Sequence, residues 1–276
     1  MGTKKVGIPS LIFRFFRRFQ QDDVIGLAAQ IAYFLLLSLF PLLIFLVSLV
    51  PYLPITHIDI LNVIRDFAPG ESIMLIEENL HQIMEHHNGK LLTFGVIATL
   101  WTASNGINSV VKGFNRAYNV NENRPFWKAR TMSIVLTVAM ITVFIIALLL
   151  PVFGKQIGLF IASSFNISTE FLHLWNTIRW VISIVIIFIV FLGLYMIAPN
   201  KKISISHALP GALIALIGFV LASLAFSYYV DNFGNYSITY GSIGGIIVLM
   251  IWFYLSAFMI MVGGEVNALL GEVKGD

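Results

Sequence analysis

Six long apolar runs, separated by short polar gaps, fill nearly all of this 276-residue chain. A hydrocarbon core about 30 Å thick requires about 20 consecutive apolar residues per crossing helix, and each run is that long. The runs therefore predict an all-α polytopic membrane protein, in one membrane domain covering residues 1–276. The six predicted transmembrane helices lie at about 24–50, 91–111, 132–153, 178–198, 208–229 and 242–264.

The composition supports a membrane protein and excludes several kinds of site. Hydrophobic residues make up 58% of the chain and charged residues only 11%, whereas soluble domains carry about 25% charged residues. The chain has no cysteine. Disulfides, thiolate metal sites and a cysteine nucleophile are therefore excluded.

The basic residues are distributed unequally between the two sides of the predicted spans. One side holds 13 of the 17 Lys and Arg residues, and the other side holds Arg65, Lys90, Lys155 and Arg179. Cytoplasmic loops of membrane proteins are enriched in Lys and Arg. We therefore predict that both termini are cytoplasmic.

Residues 10–20 predict a helix that lies in the cytoplasmic interface of the membrane. We assign two opposite faces to this helix. The apolar face consists of Leu11, Ile12, Phe15 and Phe19, and the basic face consists of Arg14, Arg17 and Arg18. Such a helix would be held by apolar burial and anionic lipid. The alternative interpretation is a simple basic flank of the first span.

The external segment 54–90 predicts two short amphipathic helices divided by Pro69-Gly70. The second helix would carry Glu77, His81 and Glu85 on its polar face. Their spacing matches no established metal-ligand motif, so we predict no metal site.

The second span carries a polar stripe. Asn105, Asn108, Lys112 and Asn115 follow one another at helical spacing. Lipid does not satisfy amide groups, so this face must contact other helices or a hydrated cavity. Two interpretations stay open, namely the lining of a cytoplasm-facing polar cavity and simple hydrogen bonding between helices.

Two further residues interrupt the apolar spans. Glu265 ends the last span, where its carboxylate would pair with Lys112, Arg116 or Lys128, or would take up a proton or cation. Pro41 removes one hydrogen bond from the first span and predicts a kink. That kink would be a hinge or a packing bend.

Enzyme motifs are missing from the sequence. It contains no Walker-type loop, no dinucleotide glycine motif and no H-E-x-x-H motif. A nuclease needs clustered carboxylates or a positioned acid–base pair, and the cytoplasmic loops offer only scattered ones. We expect no enzyme activity, no cofactor and no nucleic-acid partner.

Three stretches resemble the YihY/BrkB family of membrane proteins, historically labelled ribonuclease BN. They are LAAQIAYFLLLSLFP (27–41), LWTASNGINSVVKGFNRAYNVNENRPFWKAR (100–130) and YGSIGGIIVLMIWFYLSAFMIMVGGEVNALL (240–270). The resemblance covers essentially the whole chain. It implies a six-helix protein of the bacterial cytoplasmic membrane, and it implies that the nuclease label is a misassignment. Proposed roles of the family concern envelope integrity and the movement of lipids or other amphiphiles.

The polar stripe and this resemblance together suggest a transporter-like or lipid-handling protein. Its partners would be membrane lipids and an anionic or amphiphilic substrate. The predicted substrate-binding residues are Asn105, Asn108, Lys112, Asn115, Arg116 and Glu265. The alternative is a non-transporting scaffold for envelope assembly that uses residues 55–86 as its contact surface. The sequence indicates neither the substrate nor the oligomeric state.

Overall fold

The computed structural model describes residues 8–52, 88–141, 169–233 and 243–274. Within these ranges the chain forms helices and no strand, which confirms the all-α class for the described part. The helices are α1 (Ile8–Gln21), α2 (Val24–Leu49), a 3-10 turn (Val50–Tyr52), α3 (Gly89–Ala117), α4 (residues 126–141), α5 (Thr169–Ile197), α6 (Ile205–Phe233) and α7 (Ile243–Lys274).

Four of these helices contain segments long and apolar enough to cross a membrane. They are Val24–Leu49, Thr177–Ile197, Ile205–Val230 and Gly244–Val273, and they match the predicted first, fourth, fifth and sixth spans. The predicted span 91–111 lies within α3, which is 29 residues long but is outside this group. The predicted span 132–153 is described as helix only to residue 141. Six crossings therefore stay a prediction, as does the orientation of the termini.

The external segment 54–90 lies almost entirely outside the described residues. Only its last three residues are described, and two of them open α3. The two amphipathic helices predicted for this segment therefore stay a prediction.

The chain divides into two compact units. One consists of residues 1–34 and 104–276, and the other of residues 35–103. The expectation of one domain over 1–276 was made from the sequence and stays a prediction.

In the unit of residues 35–103, α2 and α3 approach each other closely at Gly95. A Cβ atom added to Gly95 would lie 2.8 Å from the Cα atom of Phe45, so only glycine allows this backbone approach. Pro41 lies inside α2, which continues as one helix to Leu49. The Ser38 hydroxyl donates to the carbonyl of Leu35 at 2.6 Å. The role of Pro41 as a hinge stays a prediction.

In the larger unit, α6 and α7 pack through small residues. A Cβ atom on Gly211 would overlap the carbonyl oxygen of Gly263, and Ala212, Ala215 and Ala257 are fully buried. Within a bilayer the association of helices depends on close packing and hydrogen bonds, because lipid tails are as apolar as the side chains. Small residues in the fifth predicted span therefore let α6 and α7 pack closely.

Helix α1 packs on α7 with part of its predicted apolar face. The rings of Phe19 and Phe258 are 5.7 Å apart, edge to face. Ile12, Phe13 and Phe16 are exposed. The predicted apolar face of α1 is thus divided between protein and surroundings.

Candidate functional site

A tight turn joins α1 to α2 and sets the position of Asp22. Asp23 adopts a left-handed conformation with φ 54°, which Asp tolerates better than most residues. Its Oδ1 accepts a hydrogen bond from the backbone N–H of Gly26 at 3.2 Å, as an N-cap residue does. Asp22 directly precedes this N-cap residue. It lies four residues after Arg18, which is about one helical turn.

The end of α3 brings Tyr118 to the same region. Asn119 has φ 53°, and the N–H groups of Asn119 and Val120 donate to the carbonyls of Arg116 and Asn115, each at 2.9 Å. This is the hydrogen-bond pattern of a Schellman cap, with Asn at the left-handed position. The Ala117 carbonyl is left available, and the Arg18 guanidinium donates to it.

Two glycines of α7 allow Glu265 to enter the core. A Cβ atom on Gly263 would overlap the Tyr195 hydroxyl, and one on Gly264 would press into the Phe114 ring. The Tyr195 hydroxyl instead donates to the Ile260 carbonyl at 2.7 Å, and the Phe114 and Tyr195 rings lie 5.1 Å apart. Glu265 follows directly and is only 1% exposed.

Arg18, Asp22, Tyr118, Glu265 and Glu272 meet in what we call the acid–arginine cluster. Arg18 Nε lies 3.6 Å from Glu265 Oε2, and its Nη1 lies 2.7 Å from Glu272 Oε1. The carboxyl groups of Asp22 and Glu265 lie within hydrogen-bonding reach of each other. Burial raises the pKa of Asp22, although the charge of Arg18 opposes the shift.

The Tyr118 hydroxyl belongs to the same cluster. It is buried and has no hydrogen-bond partner within the described ranges. Burial is the main cause that raises the pKa of Tyr118 to about 12, with Arg18 lowering it and Glu265 raising it. Tyr118 is therefore a neutral donor at physiological pH, with no described acceptor.

Asn267 joins α7 to α6 near Pro210. Its Oδ1 accepts from the backbone N–H of Gly211 at 2.6 Å, and its Nδ2 donates to the Ala208 carbonyl at 3.0 Å. Pro210 lies inside α6, where a proline disturbs the backbone hydrogen bonds of the preceding turn. The Asn267 amide supplies partners to two backbone groups there, which is a structural role.

A second polar group, the loop network, consists of Asn115, Glu122, Arg124 and Asn200. Asn115 donates to Glu122 at 2.9 Å and accepts from the Asn200 N–H at 2.7 Å. Arg124 binds both oxygens of Glu122 at 2.7 Å and donates to the Ala198 carbonyl at 3.1 Å. Hydrogen bonding to Arg124 is the main cause that lowers the pKa of Glu122. This network ties the segment after α3 to the segment after α5.

The structure separates the residues of the predicted polar stripe. Asn105 accepts from Arg130 Nη1 at 2.6 Å, and Asn115 belongs to the loop network. Asn108 is half-buried, while Lys112 and Arg116 are exposed.

Of the six predicted substrate-binding residues, only Glu265 belongs to the acid–arginine cluster. Its ion-pair partner is Arg18, where Lys112, Arg116 or Lys128 had been predicted. An open groove of about 500 Å³ lies elsewhere, along α4, lined by Trp127, Lys128, Thr131, Met132 and Val135. None of the six residues lines this groove.

Comparison with known proteins identifies the family. The family model described as Virulence factor BrkB matches residues 15–276. This chain belongs to the BrkB family. The protein described as "Putative ribonuclease-like protein YfkH" of Bacillus subtilis (strain 168) is 50% identical over 265 residues, which cover 96% of each chain.

More distant relatives of this BrkB-family chain carry the description of membrane protein. A "UPF0761 membrane protein" of Vibrio atlanticus (strain LGP32) is 29% identical, over 92% of this chain and 80% of the relative. A protein described in the same way from Vibrio vulnificus (strain YJ016) is 28% identical, over the same shares of the two chains. No solved structure matches the chain significantly. The chain is therefore a membrane protein of the BrkB family.

Sequence reasoning missed Arg18 and Asp22 in this BrkB-family protein. Arg18 was assigned to the basic face of α1, yet it lies seven residues after Leu11, which places the two on one face of a helix. Arg18 also lies three residues after Phe15. A cation within the apolar stripe of an amphipathic helix was the signal for a buried partner.

Proposed function

We propose that this BrkB-family protein is transporter-like and handles an amphiphile with an anionic head group. The observation that carries the proposal is the burial of Arg18 beside Glu265, which lies on the long apolar helix α7. Charged residues within membrane helices are costly and commonly mark a substrate or ion pathway. The side chain of Arg18 is 13% exposed and that of Glu265 is 0% exposed.

An incoming anion could compete with the carboxylate partners of Arg18. The contact with Glu265 is 3.6 Å long, which is an ion pair beyond hydrogen-bond distance, and the side chain of Glu272 is 51% exposed. A phosphate or carboxylate head group competes for a guanidinium because both present paired oxygens to its parallel N–H groups. Arg18 therefore takes the role that the sequence suggested for Lys112 and Arg116.

The exposed apolar surface of α1, the helix that carries Arg18, favours an amphiphile over a fully polar solute. Phe19, next to Arg18, packs on Phe258, while Phe13 and Phe16 on the same helix are 71% and 62% exposed. Exposed aromatic residues beside arginines suit the boundary between head groups and acyl chains. Helix α1 would therefore lie at this boundary, where amphiphiles are also found.

The proposal places the cluster at the cytoplasmic face of a bacterial inner membrane, with both termini on that side. The support is the excess of Lys and Arg on one side of the predicted spans. The proposed activity is non-enzymatic. Arg18 and Glu265 are assigned to binding and not to the cleavage of a substrate.

The test is translocation of a fluorescent phosphatidylglycerol analogue in proteoliposomes, followed by chemical quenching of the outer leaflet. We expect Arg18→Gln to lower the protein-dependent rate at least tenfold, because the head group loses its guanidinium partner. The matched control is Arg17→Gln, since Arg17 is the exposed neighbour on the same helix. A folded Arg18→Gln protein that keeps the full rate would contradict the assignment.

The predicted stripe is tested in the same assay. Asn108→Leu and Lys112→Ala remove a half-buried and an exposed member of the stripe. If transport depends on the Arg18 site alone, both variants keep the rate of the unchanged protein. A loss in either variant would return the stripe to the substrate path.

A further inference from the structure

Two oxygen acceptors face each other in the acid–arginine cluster without a donor between them. The carboxyl groups of Asp22 and Glu265 are within hydrogen-bonding reach. Neither oxygen of Glu265 receives a hydrogen bond from an N–H or hydroxyl donor of the described chain. Two ionised carboxylates only accept hydrogen bonds, so a contact between them requires a proton on one.

The charges around this pair also require a proton on one of the two carboxyl groups. Arg18 contributes one positive charge, and two ionised carboxylates would contribute two negative charges. With one proton, the trio Arg18, Asp22 and Glu265 is neutral; without it, a net negative charge lies beside a fully buried side chain. Burying a charge without full compensation costs several kcal/mol in proteins, and a group usually changes protonation to avoid it.

The other groups that face the pair do not supply the missing charge. The carboxylate of Glu272 on α7 adds negative charge, and it is already in contact with Arg18 Nη1. Tyr118, at the end of α3, is neutral. Arg116 on α3 acts on Asp22, but its side chain is exposed, so water screens its charge.

We propose that Asp22 and Glu265 share one proton and form a proton-binding site that joins the α1–α2 turn to α7. When the proton leaves for water, the pair gains one negative charge and its two carboxylates repel each other. The raised pKa of Asp22, caused mainly by burial, agrees with this geometry. The proton is then the coupling ion of the proposed transport. That coupling rests on the proposed function, whereas the proton site itself does not.

The test is infrared spectroscopy of the purified protein in a detergent without ester groups, with no substrate added. A protonated carboxyl group gives a carbonyl band that an ionised one lacks. At about pH 6, exposed carboxyl groups have lost their protons because their pKa values lie near 4. We expect a carboxyl band that persists at this pH, shifts in D2O and disappears as the pH rises further.

Two variants assign the band. In Glu265→Gln and in Asp22→Asn, the new amide donates to the remaining carboxylate, so no shared proton is needed and the band is lost. Glu272→Gln is the matched control, because Glu272 contacts Arg18 without belonging to the pair, and it keeps the band. Absence of the band from the unchanged protein at about pH 6 would overturn the proposal even if the variants fail to fold.

The result separates this inference from the proposed function. A band that survives in the Asp22→Asn and Glu265→Gln double variant belongs to another group and also overturns the proton site. A band assigned to the pair, in a protein that moves no lipid analogue, leaves the proton site standing and rejects the transport.

Discussion

The acid–arginine cluster and the loop network lie in the same compact unit and differ in how completely their polar groups are paired. In the loop network both carboxylate oxygens of Glu122 accept hydrogen bonds from Arg124, and Asn115 uses both ends of its amide. In the cluster, Glu265 is more deeply buried, yet its oxygens receive no such bond. A fully satisfied network is what a structural clasp requires.

Burial alone does not distinguish these two regions, whereas the number of hydrogen bonds that each polar group receives does. Satisfied groups such as Asn115 hold loops together. Incompletely satisfied groups, such as Glu265 and its neighbour Arg18, are the ones for which we propose an ion or head group as a partner.

The largest effect is expected from Arg18→Met, which removes the cation of the cluster and keeps an apolar stem. Breaking a buried ion pair by removing one partner typically costs about 3–5 kcal/mol. We expect a loss of this size in the free energy of unfolding, measured by denaturant titration in mixed micelles. The loss grows as the pH rises, because the carboxyl pair then loses its proton. Arg17→Met, at the exposed neighbour, is the control and changes stability by less than about 0.5 kcal/mol.

A smaller effect is expected from Asn115→Leu in the loop network. The change leaves the Asn200 N–H and one Glu122 oxygen without Asn115, at a cost of about 1–3 kcal/mol for an unsatisfied buried group. Transport of the lipid analogue is expected to continue at the unchanged rate in the folded fraction. Asn121→Ala is the control, since Asn200 Nδ2 donates to the backbone carbonyl of Asn121, which the substitution keeps. A lost transport rate with unchanged stability would assign the loop network to the substrate path.

The two regions are expected to respond to pH with opposite signs. The folded state raises the pKa of Asp22 above its ordinary value of 3.8. The folded state therefore binds more protons, and this stabilisation is lost as the pH rises through the folded pKa. The folded state lowers the pKa of Glu122 below 4.5, so that stabilisation is lost as the pH falls through the folded pKa.

Stability measured across pH in two variants separates these contributions. Asp22→Asn is expected to reduce the loss of stability that occurs as the pH rises above 3.8. Glu122→Gln is expected to reduce the loss of stability that occurs as the pH falls below 4.5. If both variants flatten the same side, the two regions are not electrostatically distinct.

The smallest effects are expected at the exposed residues of the predicted stripe. Lys112→Ala and Arg116→Ala are each expected to change the free energy of unfolding by less than about 0.5 kcal/mol, because both side chains are exposed. The same denaturant titration measures them. A loss above about 1 kcal/mol at Lys112 would indicate a buried partner.

Much of the fold could be predicted because membrane helices are recognised from the hydrophobicity of consecutive residues. The apolar runs predicted the helices that contain Val24–Leu49, Thr177–Ile197, Ile205–Val230 and Gly244–Val273. The helix at 10–20 was predicted as well. Helix α3 was placed correctly, although its asparagines keep it out of the most apolar group.

The candidate site could be predicted only in part. Glu265 stood out because a carboxylate after a long apolar run is unusual. Arg18 was assigned to the wrong face, so its ion pair with Glu265 was missed. Asn105 and Asn115 share a stripe in the sequence, but Arg130 binds one, and Glu122 and Asn200 bind the other.

The sequence by itself determined the helical class, the membrane character and the unusual position of Glu265, since each depends on composition or on spacing along one helix. The tertiary structure alone decided that Arg18, Asp22 and Tyr118 surround Glu265, because these residues come from α1, the turn after it and the end of α3. Pairing between distant segments depends on how helices approach, and glycines such as Gly263 and Gly264 control that approach. The physical reason is that hydrophobicity is a local property, whereas satisfaction of a buried charge depends on its neighbours in space.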